Sequence, residues 1–411
     1  MECALRGSMQ IKIYRGTHQI GGCVTEIRTA GARIIIDMGS ELPRADKEES
    51  TPLEIDGVTR GGPNCDGVFI THYHGDHVGT CDAVLPSVPV YMGGVAKQIY
   101  KVVQQTLYRK IKTGNPVLVD GFKTFKARTP LRIKDMKITP FTIDHSAFDA
   151  YMFLIEAEGR RVLHTGDFRM HGARGGKMPA VFEKYARNID ALIVEGTMMT
   201  RTGEEVMTEH GLGRKAKKLF RQNKNIFVMC SSTNIDSIAG FYGAAIDSGK
   251  PFIVDDKGRK EILQIVTQNS KSSFYDFGRI PVYTYAENLH GLMQKCGFCF
   301  VGGANFATGK AIETFPQNLL INSTWEGYIK ELTPAYDPNK GDFVKKARAN
   351  GSKYEYLHTS GHATPEQIET VCEITDAKYV IPIHSEAPWE FKKLNIKGEV
   401  KLLQDGESFV I

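Results

Sequence analysis

Between residues 10 and 200 the apolar positions fall in short runs that end in polar residues, the pattern of buried strands in a layered sheet. "GARIIIDMG" and "DGVFITH" are two such runs, and "IDALIVEGT" is a third that ends at an acid, Glu195. "AYMFLIEAEGRRVLHTGDF" predicts a hairpin turning near Glu158 and Gly159. From about 204 to 350 the texture changes. "KKLFRQNKNIFVMCSSTNIDSIAGFYGAAIDSGKPFIVDD" reads helix, strand, loop, helix, strand, a βαβ arrangement. After 355 the strand-and-loop style returns. "YLHTSGH" runs into a helix opened by Thr364 and Pro365 with Glu366 and Glu369 close behind, and "AKYVIPIHSE" forms a strand. The pattern predicts one α/β domain inserted into another, with residues 9–200 and 356–411 forming the host and 201–355 the insertion.

Length agrees, since 411 residues exceed one ordinary core and suggest about two domains. With 41% hydrophobic and 24% charged residues the composition is that of a soluble globular protein. No apolar run reaches the roughly 18 residues a bilayer span needs, and the N-terminus lacks a signal peptide's hydrophobic region. The expectation is a cytoplasmic protein with no membrane partner. The first eight residues precede a second plausible start at Met9 and stand outside the fold argument. Eight cysteines are scattered along the chain, with Cys296 and Cys299 the one close pair. Two thiolates fall short of the four ligands of a structural zinc site, so reduced cysteines are expected. A net charge of +5 permits a polyanionic partner without requiring one.

The chemistry concentrates in "FITHYHGDHVGT", where His72, His74, Asp76 and His77 crowd into six positions behind an apolar run. Loops can gather histidines by chance, but a chain of 12 histidines here spends three in the spacing H-x-H-x-D-H. Zinc takes imidazole nitrogen and carboxylate oxygen, and two histidines two apart on a loop can converge on one ion. Asp76 and His77 can then face a neighbouring ion. Further donors stand at the ends of later strands: His145 in "TIDHSAF", Asp167 in "HTGDF" and His384 in "IPIHSE". A carboxylate such as Asp167 can bridge two metals about 3.5–4 Å apart, the spacing of two-metal hydrolases.

This set resembles the metallo-β-lactamase superfamily, whose fold is an αββα sandwich. Asp37 in "IIIDMG" matches that superfamily's first motif, an acid that orients the metal loop. The insertion narrows the resemblance to the β-CASP nucleases, in which an inserted α/β domain follows an acid that Glu195 matches. "HTSGHA" (358–363) and "HSE" (384–386) match the histidine motifs after the insertion. The likeness covers nearly the whole chain and comes nearest to the bacterial ribonuclease J family.

The resemblance implies two divalent ions per chain, zinc with manganese as the substitute. His72, His74, His145 and Asp167 would hold one; Asp76, His77, Asp167 and His384 the other. A hydroxide bridging the two would attack phosphorus, with Asp76 and Asp37 part of the catalytic set. His362 would touch the scissile phosphate, and His358, Ser360 and Gly361 would bind a phosphate beside it. Glu195 would fix the tautomer of a nearby histidine. In the insertion, Ser231, Ser232, Thr233 and Asn234 stand where the family has a phosphate-binding loop, although such residues serve equally as helix caps.

Three departures from the family qualify this. Asp236 replaces a residue that is commonly basic, which opposes the usual RNA path. The last motif reads His-Ser-Glu rather than His-Gly-Glu, altering backbone freedom beside His384. The chain stops soon after that motif, so the family's C-terminal domain and oligomeric state are not carried over, and self-association stays open. Other features are decoys. "GGANFATGK" resembles a phosphate loop, but five residues separate Gly303 from Gly309 and Ala311 follows the lysine. "GRKAKKLF" (213–220) reads as the solvated face of a helix. His18, His164, His171, His210 and His290 have no evident partners, though His164 lies near Asp167 in sequence.

The expected function is a metal-dependent phosphodiesterase acting on RNA, single-stranded in the first instance, as an exonuclease, an endonuclease or both. DNA or a small phosphodiester is the alternative substrate, and a non-nuclease hydrolase of this fold the alternative activity. Redox di-iron relatives replace a motif histidine by a carboxylate, and silent scaffold relatives lose metal ligands; this chain keeps both.

Overall fold

The computed structural model describes residues 7–42, 53–201, 206–283 and 287–411, and of residues 287 and 288 the backbone alone. Six of the eight residues ahead of Met9, and 202–205 beside the expected boundary at 200, lie outside the described residues. Met9 itself is buried and exchanges backbone hydrogen bonds with Ile411.

Two seven-stranded sheets are stacked face to face. The first runs Ser408–Val410, Gln10–Arg15, Val24–Arg28, Arg33–Ile36, Gly67–Phe69, Val90–Gly93, Lys123–Phe125. The second runs Glu399–Val400, Tyr379–Ile383, Ala191–Glu195, Arg160–His164, Tyr151–Ala157, Met136–Thr142, Leu131–Ile133. Burial alternates along Gln10–Arg15, whereas Ala191–Glu195 is buried throughout, as befits a central strand with covered faces. Ile13, Ile36, Phe69, Phe153, Ile193 and Ile383 meet in the apolar layer between the sheets. Outside the second sheet, Met178–Tyr185 and Pro365–Thr375 bury their apolar stripes on Leu163, Leu192 and Val380. Gly94–Ile111 covers the first sheet, packing beside Val68, Val90 and Met92. The layers are therefore αββα. The hairpin forms as expected, with Tyr151–Ala157 and Arg160–His164 antiparallel.

Residues 225–356 build a third sheet that is wholly parallel, in the order Phe252–Val254, Phe298–Gly302, Asn225–Met229, Leu319–Asn322, Lys353–Tyr356. Its order reverses at Asn225–Met229, so the crevice beyond that strand's C-terminal end lies where ligands bind in open α/β sheets. The loop 230–234 fills this place. Ile235 donates its N–H to the Ser146 carbonyl (3.1 Å), which ties that loop to the residue after His145.

The decoys resolve locally. Asn305 caps the helix Phe306–Thr314, and the Asp255 carboxylate accepts from Gly303 N–H and the Asn305 amide at 2.9 and 2.8 Å. An anion of the protein's own thus occupies the position a phosphate would take. Cys299 is a buried strand residue and Cys296 an exposed helix end. Helix Glu209–Gln222 buries Leu212, Ala216 and Phe220 while Lys217 pairs with Asp247 on its outer face.

Candidate metal centre

Every predicted donor stands where a strand of the stacked sheets gives way to a loop. The strand Gly67–Phe69 ends two residues before Thr71, and a four-residue helix, Gly75–Val78, carries Asp76 and His77. Asp37 organises this loop from a left-handed backbone conformation (φ 62°), one that Asp tolerates better than most residues. Its carboxylate accepts from Thr71 N–H and Thr71 Oγ1–H, each at 2.8 Å, and from His77 Nδ1 at 2.7 Å.

Two groups of donor atoms, each with its members within 4.8 Å of one another, combine the expected ligands: His72, His74 and His145, and Asp76, His77, Asp167 and His384; Asp167 and His384 also group with Glu195 and His362. Asp167 Oδ2 is 3.1 Å from His77 Nε2, 3.8 Å from His384 Nε2 and 3.9 Å from His72 Nε2, so it touches both groups. Four histidines have one ring nitrogen engaged by the chain. His72 Nδ1 meets Thr71 Oγ1 (3.1 Å), His77 Nδ1 meets Asp37, His145 Nδ1 donates to Gly361 O (2.7 Å), and His384 Nδ1 meets Thr197 Oγ1 (2.7 Å). Each therefore presents Nε2 to the centre, the arrangement that sets tautomer and ring orientation in metal sites. His145 Nε2 and His74 Nδ1 face each other at 3.2 Å.

The donor set fits divalent cations. His72 Nε2 and Asp167 Oδ1 are buried without a hydrogen-bond partner, a cost that a bound ion would remove. Burial and neighbouring imidazoles push His72 and His145 well below their usual range, and burial takes His74 down to about 4, so their lone pairs are free at neutral pH. His77 shifts the other way. Burial disfavours its charge, but Asp167 and Asp37 on either side outweigh that and raise it well above its usual value. Asp167 is correspondingly lowered: burial opposes its charge, and His384, His77 and His362 overcome it. A metal entering here must displace the His77 proton, so uptake weakens as pH falls.

Beside this centre His362 Nδ1 lies 3.1 Å from Glu195 Oε2, 3.1 Å from Thr197 Oγ1 and 3.7 Å from Asp167 Oδ2, with 23% of its side chain exposed. Burial pulls its pKa down, but Glu195 and Asp167 push it up to about 8; cations bound at Asp167 would lower it again. Glu195 is buried and also accepts from Ala363 N–H (3.0 Å), Thr197 N–H (3.1 Å) and Phe168 N–H (3.3 Å). Gly361 packs against His145 so closely that a Cβ would stand 3.1 Å from Cε1 and 3.0 Å from Ser146 Oγ. Ser360 Oγ accepts from His362 N–H (3.1 Å), and His358 Nδ1 lies 3.3 Å from the Ser323 carbonyl.

In the loop of the third sheet, Asn234 caps the helix Ile235–Asp247 by accepting from Ser237 N–H, and Ser231 Oγ bonds Thr233 Oγ1 (2.8 Å). Ser231 is exposed and Ser232 partly so. Asn234 takes the capping role, and Ser231 Oγ also accepts from Thr233 N–H (3.3 Å).

Two expectations need correction. Asp236 does not oppose a polyanion: it is fully buried, 2.8 Å from Arg169 Nη2, and accepts from Tyr275 O–H (2.5 Å). Ser385 takes no unusual backbone angle. The positive φ (52°) falls on His384 itself, and Ser385 fits because its side chain packs on Gly196.

Four side chains beside the site lacked a local sequence signal. Arg169, wholly buried, donates to the Ser360 carbonyl (2.8 Å) and pairs with Asp236 and with Glu209 (3.0 Å). His171 Nε2 also reaches Ser360 O (2.9 Å). Thr197 joins His362 to His384. Cys23, buried, has its thiol within 4.8 Å of ring nitrogens of His77 and His384. Arg169, two residues after Asp167, and Thr197, two residues after Glu195, had neighbours that could have flagged them.

The comparisons with known proteins agree with this geometry. The beta-lactamase superfamily domain matches residues 32–221, which contain every donor of the two groups except His384. The chain is 23% identical to Ribonuclease J of Mycoplasma pneumoniae over 92% of its own length and 68% of the relative's. It is 21% identical to Ribonuclease J of Helicobacter pylori over 93% of its length and 56% of that protein's, so it spans about half of the latter. Probable RNase MJ4 of Methanocaldococcus jannaschii is 28% identical over 45% of each chain. Among solved structures, a protein of unknown function from Enterococcus faecalis V583 shares the fold, with a TM-score of 0.79 and 19% identity, covering 98% of this chain and 100% of that one. Stacked sheets with donors at their strand ends define a metallo-β-lactamase-fold protein. Residues 32–221 carry a metallo-β-lactamase domain, and the likeness to the ribonucleases J extends over most of the chain.

Proposed function

We propose that this protein is a phosphodiesterase that hydrolyses RNA, as an exonuclease, an endonuclease or both, and works with two divalent ions, zinc or in its place manganese. The observation that carries the reading is the meeting of two donor groups at Asp167 beside His362, a histidine whose Nδ1 is held by Glu195. The names of the relatives, Ribonuclease J among them, support RNA as the substrate. The division into residues 9–200, 201–355 and 356–411 belongs to the same proposal, with the third sheet as the inserted unit. So does a cytoplasmic location, for which the seven described cysteines, all free, are the support.

In this reading His72, His74, His145 and Asp167 hold one ion and Asp76, His77, Asp167 and His384 the other. Bound there, two divalent ions supply Lewis-acid activation of water and stabilise charge on phosphorus. The chain does the rest. Asp37, Thr71, Gly361 and Thr197 hold the imidazoles so that Nε2 faces inward. Glu195 and Thr197 hold His362 by Nδ1, which leaves its other nitrogen to protonate the departing ribose oxygen. Ser360 and His358 line the adjoining phosphate position, with Ser231, Ser232 and Thr233 across the crevice.

The test uses metal-loaded protein with 5′-labelled RNA and DNA carrying a 5′-monophosphate or triphosphate. Cleavage of RNA is expected; failure to cut any RNA while a nitrophenyl phosphodiester is hydrolysed would overturn the RNA reading. His362→Ala should retain both metals yet cut RNA at least about 100-fold more slowly. The defect should shrink on the nitrophenyl ester, whose leaving group needs no proton. Equal loss on both substrates would reduce His362 to phosphate binding.

A further inference from the structure

Among the described residues, a guanidinium beside this cleft has no acidic partner. Arg201 follows Thr197 by four residues and its N–H bonds the Met198 carbonyl (2.9 Å), so the segment that leaves the strand ending at Glu195 delivers it. Its side chain is partly exposed and, among the described residues, makes no ion pair and no hydrogen bond. Its one contact is with an aromatic face: Cζ lies 4.4 Å from the centre of the Trp325 ring. Among the described residues its five N–H donors thus meet no acceptor, on a side chain that the indole face holds.

The aromatic support is built for this. Trp325 lies so flat against its own turn that a Cβ on Gly327 would stand 2.5–2.6 Å from three indole carbons. Tyr328 meets the indole edge-on at 5.5 Å and carries Lys340 on its ring at 4.2 Å. The platform adjoins the phosphate loop, because His358 bonds the carbonyl of Ser323, two residues before Trp325, and the Tyr356 ring lies tilted against His358 at 6.1 Å. Burial, with Arg169 and then Arg201 adding to it, lowers the His358 pKa to about 4.

We propose that Arg201, held on the face of Trp325, is a second phosphate-binding position of the cleft, taking a phosphodiester of a single RNA strand at a nucleotide away from the one being cut. A guanidinium matches two phosphate oxygens at once, and the indole keeps it extended without neutralising it. The inference rests on the RNA reading of the site and adds to it a contact that a one-phosphate substrate does not make.

The experiment is equilibrium binding of a labelled single-stranded RNA of about ten nucleotides, by fluorescence anisotropy in chelator so that nothing is cut, across a salt series. Arg201→Gln should weaken binding at least about tenfold, as loss of a charged hydrogen-bonding partner does. It should also lower the slope of log affinity against log salt by about 0.7, one phosphate's share on a single strand. Arg201→Lys, which keeps the charge but not the fork, should retain the slope while losing affinity. Trp325→Leu should fall between, since the cation survives without its support. Wild-type affinity and slope in Arg201→Gln would overturn the proposal, as would a loss of affinity with no change of slope. Absence of RNA binding by the wild-type protein would instead bring down the RNA reading itself.

Discussion

Replacing Arg169 by methionine tests what joins the third sheet to the metal centre. Arg169 is 0% exposed and stands among Asp236 (2.8 Å), Glu209 (3.0 Å) and Asp144 (3.8 Å), with Nη1 on the Ser360 carbonyl. Arg174, 3.8 Å from Asp144, is the other cation of the group. Two cations already face three carboxylates, and burial raises Glu209 to about 7 despite Arg169 beside it. The variant would leave one cation for all three. Removing one partner of a buried ion pair costs roughly 3–5 kcal/mol, because the charge left behind is neither solvated nor paired. That is a large share of the roughly 5–15 kcal/mol typical of folded domains. Urea unfolding in chelator, which excludes stabilisation by bound metal, measures it; the two tryptophans, Trp325 and Trp389, report on the third sheet and on the stacked sheets. Arg169→Lys should recover part of the loss, since a point charge can serve one carboxylate but not the fork of contacts. A methionine variant within about 1 kcal/mol of the wild type, with full activity, would refute the reasoning.

Three further outcomes are expected. Thr197→Val removes the hydroxyl shared by His384 and His362, and metal titration should find affinity lowered about 10- to 100-fold in a folded protein. Ser360→Ala should slow RNA turnover about 100- to 1,000-fold with both metals retained, as loss of one donor to developing charge does; unchanged kinetics would return the loop to a structural role. The third concerns acid stability. Burial lowers His171 from its ordinary 6.5 to about 4, so its contribution is complete above pH 6.5 and is lost as pH falls toward 4. The loss is on the order of 3 kcal/mol, and His171→Gln should flatten that limb of the pH–stability curve; an unaltered limb would contradict the assignment.

The sequence by itself determined the donor types, their placement at strand ends and the change of texture that marks the third sheet. These are local properties. Alternation of apolar and polar positions encodes which residues enter a sheet, and H-x-H-x-D-H encodes which atoms can reach an ion. Asp37 and Glu195 were legible too, each at the end of an apolar run. What the tertiary structure decided is how those donors are held. Gly361 anchors His145 across 216 residues, Thr197 anchors His384 across 187, and Arg169 reaches Ser360 across 191. No window of sequence contains both members of such a pair. Asp236 shows the consequence: read along the chain it is an anion in the path of a polyanion, but folding places Arg169 and Tyr275 around it and removes its charge from the cleft. Likewise Ser385 in place of glycine looks like a constraint on His384, until Gly196 from the neighbouring strand's end supplies the room. A charge or a cavity acquires its meaning from the groups that surround it, and stacking two sheets against a third chooses those groups from distant parts of the chain.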